Sequence, residues 1–561
     1  MTSPNPALVT QRAAQRLPRL ALLLFCAAYV LPGLFGRDPW RGADITAFGY
    51  MLSIAQGQSS WLAPTVTGLP PETAVLPFWL GAAAIKLLDV AISPAVAARL
   101  PFALLLVAVL VLTWYSTYHL ARTEAAQPLA FAFGGEADPV DYARAIADGA
   151  LLALIATLGL LQLGHETTPE LGQLASVALY LYALSASAFR GVKPKLAMLV
   201  ALPALAASGA SSIALALGLG GALLCWKSSN PEVRRFALWV AVSAALAAAV
   251  ASGLGAWGWR LGSYRGSGQV LSVFKLFAWF LWPCWPLAMW TLWRWRRQSL
   301  KRHISVPLMS LSVSLFACIA MGGSDRALLL GLPALAVLAA FSLPTLTRGA
   351  AAAIDWFSVF FFSARALVIW VVYVAMQTGS PQRPAANVMR LVPGFSTTFS
   401  VAALMLATIA TLAWLWLVQW RTGRNRHPIW KSMVLPASGV ALCWLLLMTL
   451  WLPLLDHARS YRPLIDRIAK HVPRGSCVAS ASLARGQGVA LEYLGGYRLD
   501  TAHSSASTPC AFWLQQEARR SALPAPRGWM LVARERRPTD NEEVTAIYRR
   551  SQSAARAPSD Q

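Results

Sequence analysis

Few residues in this 561-residue chain can carry chemistry. Only 24 are Asp or Glu, and ten of those lie from Asp456 onward, leaving fourteen in the first 455 residues. Asp44 stands in RDPWRGADITAFGYMLSIAQG, just past an apolar run and ahead of an amphipathic stretch (Ile45, Phe48, Met51, Leu52, Ile54). Glu72 lies in GLPPETAVLP, and His165, Glu166 and Glu170 crowd together in LQLGHETTPELGQLA. Arg260 and Arg265 sit in GWRLGSYRGSG, and Arg326 in SDRALLLGLPALAVLAA. A carboxylate at a membrane edge is costly, so each is a functional candidate by default. A His beside a Glu can orient a ligand or tune a carboxylate. The Gly and Ser around Arg265 let that loop adapt to a phosphate.

The elements that must position these residues are read from composition. The chain is 57% hydrophobic and 13% charged, with a mean hydropathy of +0.51. A soluble domain carries about 25% charged residues, so a cytosolic enzyme and a disordered chain are both excluded. With roughly 20 apolar residues needed per crossing, thirteen spans are expected, at 17–36, 98–120, 147–164, 171–189, 196–209, 211–226, 235–256, 273–293, 304–322, 326–344, 355–377, 398–420 and 432–454. The net charge is +24, but the basic residues cluster in short loops that alternate onto one side. That pattern fixes topology and gives no reason to expect nucleic acid. The parity holds only if the apolar segment 74–90 lies at the outer interface. The expectation is an all-α polytopic membrane protein of the inner membrane. Its N-terminus is cytoplasmic, its membrane part is 1–455 with a long first outer loop at 37–97, and residues 456–561 form a small periplasmic α/β domain.

In that tail a helix is predicted over Tyr461–Val472, with strands at Cys477–Ser480, Val489–Tyr493, Trp529–Val532 and Val544–Tyr548. Five cysteines fall in apolar runs; Cys477 and Cys510 fall in the tail and can pair if it is extracytoplasmic. No spacing of Cys or His marks a metal site. No cofactor is evident, and a divalent metal is neither required nor excluded.

The order of motifs in the first loop resembles that of the GT-C membrane glycosyltransferases, in their ArnT/PMT-like bacterial branch, which includes the transferase of aminoarabinose to lipid A. Asp44, Trp61, Pro64, Gly68, Trp79, Arg99 and Pro101 match that family's loop, and Arg326, Pro333 and Ala334 match a later segment. The family's second-loop acid position is Thr168-Pro169 here, with His165, Glu166 and Glu170 alongside. The resemblance implies a GT-C-like fold. It also implies inverting transfer of a sugar from a polyprenyl-phosphate donor, among membrane lipids at the outer face, to lipid A, a glycan or a protein. It casts Asp44 as the base that takes the acceptor's proton, helped by Glu166 and His165. Arg265, Arg326 and Arg260 would steady the leaving phosphate, with Glu72 and Glu170 as further candidates.

Plainer readings stand beside these. Asp44 can cap the helix that follows it, and Glu170 can answer a helix dipole. The arginines can snorkel to lipid phosphates. At the level of the whole chain, a lipid or sugar transporter, a flippase and a non-catalytic envelope assembly protein are the rival functions.

Overall fold

The computed structural model describes residues 5–71, 74–258, 262, 267–422, 428–520 and 523–551. Its helices in chain order are α1 (Arg19–Val30), α2 (Ala43–Ala55), α3 (Leu76–Leu88), α4 (Pro94–Ala121), α5 (Pro139–Ala156), α6 (Leu158–Leu163), α7 (Pro169–Ala186), α8 (Val192–Ala207), α9 (Ser211–Trp226) and α10 (Pro231–Gly253). They continue with α11 (Ser267–Phe280), α12 (Cys284–Arg294), α13 (Arg302–Ala320), α14 (Asp325–Leu329), α15 (Leu332–Ala340), α16 (Arg348–Thr378), α17 (Gln382–Leu391), α18 (Val401–Thr422) and α19 (Val434–Leu450). The tail adds α20 (Leu452–Arg459), α21 (Arg462–Ile468) and α22 (Arg485–Tyr493).

Each of the thirteen expected spans coincides with helix, but among the described residues only six helices are long and apolar enough to cross a membrane. A seventh is counted if the pair Gly268–Phe280 and Cys284–Arg294, bent by 87°, is one span. The shortfall has local causes. The expected span 147–164 breaks at Thr157, whose backbone is extended (ψ 119°) and whose neighbour Leu158 donates its N–H to the Trp282 carbonyl. The expected span 326–344 is split at Gly331 into α14 and α15. There a Cβ would lie 3.0 Å from Leu311 and 3.2 Å from Ser314. Helices α5, α15 and α19 are largely buried, whereas α16 and α18 leave Phe360, Leu367, Leu412, Leu415 and Trp416 exposed. A helix apolar on its outward face is stable only where lipid replaces water. Segment 74–90 forms α3, which buries Phe78, Gly81 and Ile85 and exposes Leu87 and Val90.

The tail forms a mixed five-stranded sheet in the order β2-β1-β3-β5-β4. Its strands are β1 (Cys477–Ala479), β2 (Arg498–Asp500), β3 (Phe512–Ala518), β4 (Trp529–Glu535) and β5 (Glu543–Arg550). Strand β1 pairs parallel with β2 and β3, and β5 pairs antiparallel with β3 and β4. Cys477 and Cys510 form a disulfide across 5.0 Å between Cα atoms. Two tail expectations are corrected. The predicted strand Val489–Tyr493 is the second half of α22. Its short apolar run does not separate helix from strand by period, and packing decides: Gly486 to Leu491 are all buried, and Tyr493 meets Phe48 of α2 edge to face at 4.8 Å. The predicted helix Tyr461–Val472 is α-helical only over Arg462–Ile468.

Candidate functional site at the start of α2 and α7

The site begins with a sharp turn. Gly42 has a φ of 94°, a conformation that favours glycine, and it delivers the chain into α2 two residues before Asp44. Asp44 is 2% exposed and caps nothing in its own helix. Its Oδ2 instead accepts from Arg37 Nη1 (2.9 Å) and the Trp40 backbone N–H (3.0 Å). Its Oδ1 accepts from the Thr167 N–H (2.9 Å) and hydroxyl (2.6 Å). Both oxygens are thereby occupied. Burial pushes this carboxyl up, but Arg37, Arg99 and the Thr167 hydrogen bonds outweigh it and hold the pKa at about 2.

Arg37 ties three segments together. Besides Asp44, it donates Nε to the Gly33 carbonyl (2.8 Å) and Nη2 to the His165 carbonyl (2.8 Å), and it stacks 4.6 Å over Trp40. Arg99 of α4 donates Nη1 to the Arg37 carbonyl at 2.9 Å. His165 turns Nδ1 onto the Leu161 carbonyl (2.6 Å) and Nε2 onto that of Tyr29 (2.8 Å). Burial drives its pKa down to about 4, so near neutrality it is an uncharged spacer.

A second cluster sits one turn further along. Arg326, from α14, donates Nη2 to Glu166 (3.0 Å) and Nη1 to Glu170 (2.9 Å) and the Thr168 hydroxyl (3.3 Å). Gln162 donates to the other oxygen of Glu166 (3.0 Å). One guanidinium therefore grips the whole entry into α7. Glu166 is satisfied on both oxygens, whereas Glu170 Oε1 has no hydrogen-bond partner among the described residues.

Beside this cluster opens a cavity of about 590 Å³ between α2, α3, the start of α7 and the tail. Glu170 and Arg326 face it from one wall, Arg41, Tyr50 and Phe78 from another, and Arg485 and Glu543 from the tail. Arg41 is paired with Asp540 at 3.1 Å, while the Arg485 side chain has no partner among the described residues. Asp44, His165 and Glu166 stand behind the wall and do not line it.

The structure thus brings together Asp44, His165, Glu166, Glu170 and Arg326. Arg260, Arg265 and Glu72 lie outside the described residues. Sequence reasoning missed Arg37, Thr167, Arg41 and Arg485. Arg37 had a local signal, an arginine seven residues before the candidate carboxylate Asp44. Arg485 had none: it lies in the tail, far along the chain from Glu170 and Arg326, which it faces across the cavity.

A bundle of apolar helices followed by a mixed sheet, with a charged cavity between the two, is an ArnT-like fold. The chain superposes on ArnT from Cupriavidus metallidurans bound to undecaprenyl phosphate with a TM-score of 0.59 and 12% identity, over 94% of this chain and 96% of that one. The apo state of the same protein gives 0.57 and 14% over the same shares. No protein-family model matches the sequence, and no curated protein matches it by sequence.

Proposed function

We propose that this chain is an integral-membrane glycosyltransferase that moves a sugar from a polyprenyl-phosphate donor to an acceptor hydroxyl or phosphate at the outer face of the inner membrane. The observation that carries this reading is the cavity itself. In an ArnT-like fold, the carboxylates of Glu170 and Glu543 and the guanidinium groups of Arg41, Arg326 and Arg485 converge on a space large enough for a sugar and its acceptor. ArnT holding undecaprenyl phosphate supports the class of donor. The disulfide supports an oxidising, extracytoplasmic place for the tail.

In this reaction the bond from sugar C1 to the donor phosphate oxygen breaks as a bond from C1 to the acceptor oxygen forms on the opposite face. The phosphate leaves as an anion, so a general acid is not needed, but nearby cations stabilise its charge. Arg326 and Arg485 serve that role. Proton removal from an acceptor hydroxyl falls to Glu170, which lines the cavity and whose Oε1 has no hydrogen-bond partner among the described residues. Asp44 is the positioning residue behind it: through Arg37 and Thr167 it fixes the loop that carries Glu166 and Glu170. Arg260 and Arg265 remain expectations of the sequence for the donor phosphate.

The test is mass spectrometry of polyprenyl-phosphate-linked sugars in membranes of a strain lacking the gene, complemented with wild type or Glu170→Gln. One lipid-linked sugar is expected to accumulate in the deletion and the variant and to clear with wild type. General-base loss typically costs 10²–10⁴-fold. Identical pools in all three strains, with both proteins present in the membrane, overturn the reading and favour a transporter or assembly role.

A further inference from the structure

The end of the bundle remote from Asp44 holds a second built site. Helix α19 spans 17 residues, about 25 Å at 1.5 Å per residue. Its C-terminal half packs Trp444 and Met448 against Trp40 near the first site. Its N-terminal end continues from a 3₁₀ turn, Ile429–Met433, that also holds the chain's N-terminal segment: Ile429 N–H donates to the Ala13 carbonyl and Trp430 Nε1 to that of Gln15. This is the side that the basic loops mark as cytoplasmic.

A cavity of about 670 Å³ opens here between the start of α16, the end of α18 and that turn. Three cations, Arg348, Arg421 and Lys431, face one acid, Asp355. Arg421 is 10% exposed; it pairs with Asp355 through Nη2, and its Nε is buried without a hydrogen-bond partner among the described residues. Lys431 is 4% exposed and lies 4.4 Å over the Trp420 ring. Buried cations in excess of buried anions are costly unless a counter-anion is supplied. The cavity therefore calls for an anion.

The rest of the wall says what kind of anion. Leu343, Leu346, Trp356 and Val359 make it half apolar, and Leu346 is shared with a neighbouring cavity of about 370 Å³. That second space runs between α12 and α16, walled by Trp282, Trp290 and Phe357. A cationic pocket next to an apolar groove fits an amphiphile better than a free ion. We propose that this cavity binds the phosphate headgroup of an anionic membrane lipid, with the acyl chain lying along the groove past Leu346. Basic pockets between membrane helices on the cytoplasmic side are suited to such headgroups. The site is separate from the sugar-transfer cavity and does not depend on its assignment.

The experiment is native mass spectrometry of the delipidated full chain in detergent, titrated with phosphatidylglycerol, phosphatidylcholine or inorganic phosphate. Phosphatidylglycerol is expected to bind at least fivefold tighter than phosphatidylcholine, and inorganic phosphate to neither bind measurably nor displace it. Arg348 is exposed, and Arg348→Gln should weaken phosphatidylglycerol about fivefold, the worth of one basic residue at an anionic headgroup. Arg421→Gln should weaken it further, with thermal melting measured alongside to confirm a folded protein. Equal binding of the two lipids overturns the proposal, as does wild-type phosphatidylglycerol affinity in a folded Arg348→Gln protein. Displacement of the lipid by inorganic phosphate overturns the lipid assignment in favour of a soluble anion.

Discussion

Replacing Asp44 by Asn tests whether this carboxylate works by holding the site together. The side chain is 2% exposed and accepts four hydrogen bonds, one of them from Arg37, itself 3% exposed. Asn can keep the two Thr167 bonds on its carbonyl. Its NH₂ group then points donors at the donors of Arg37 and Trp40, and the guanidinium loses its counter-charge. Breaking a buried pair by removing one partner costs about 3–5 kcal/mol. The same bonds make a pH prediction. The folded carboxyl is held at about 2 against an ordinary value of 3.8, a stabilisation on the order of 2 kcal/mol. Because the folded value is depressed, this stability is fully present above about pH 4 and is lost as pH falls toward 2. The assay is thermal melting of the purified protein in detergent from pH 7 to 3, wild type against Asp44→Asn. The variant is expected to melt several degrees lower at pH 7, with the gap closing as pH drops. An Asp44→Asn protein that melts like wild type at pH 7, yet accumulates donor in membranes, refutes the positioning argument and restores Asp44 as the base.

Three further outcomes follow from other contacts. Arg485→Gln removes from the cavity a cation that has no partner among the described residues, so donor KM should rise about tenfold in a transfer assay while melting stays unchanged; a changed melt with unchanged KM contradicts its place in the site. Reducing the Cys477–Cys510 disulfide opens a 33-residue loop, worth ~4 kcal/mol on a chain-entropy estimate, and should make the tail cleave under limited proteolysis while the helical part resists. Gly49→Ala would place a Cβ 2.3 Å from Val489 Cγ2, forcing α2 away from α22; an overpacking cost of about 1–3 kcal/mol should appear as a lower melting point, and a neutral variant means the interface is looser than drawn.

The sequence by itself determined the broad outcome. A chain this apolar must bury its surface in lipid, and the positions of its helices follow from where apolar runs meet Pro, Gly and basic loops. The candidate carboxylates were legible for the same reason: acids are so rare before residue 456 that Asp44, Glu166 and Glu170 stand out without any partner being known. Arg326 was legible through the order of the motifs around it. The sequence could not say which acid is free, because that depends on who donates to it. Thr167 reaches Asp44 across 123 positions, Arg326 reaches Glu166 across 160, and Arg485 enters the cavity from the tail. Nor could it tell the helix Arg485–Tyr493 from a strand. Periodicity and composition are local signals, whereas the occupancy of a lone pair and the wall of a cavity are set by residues far apart in the chain, and only packing brings them within hydrogen-bond reach.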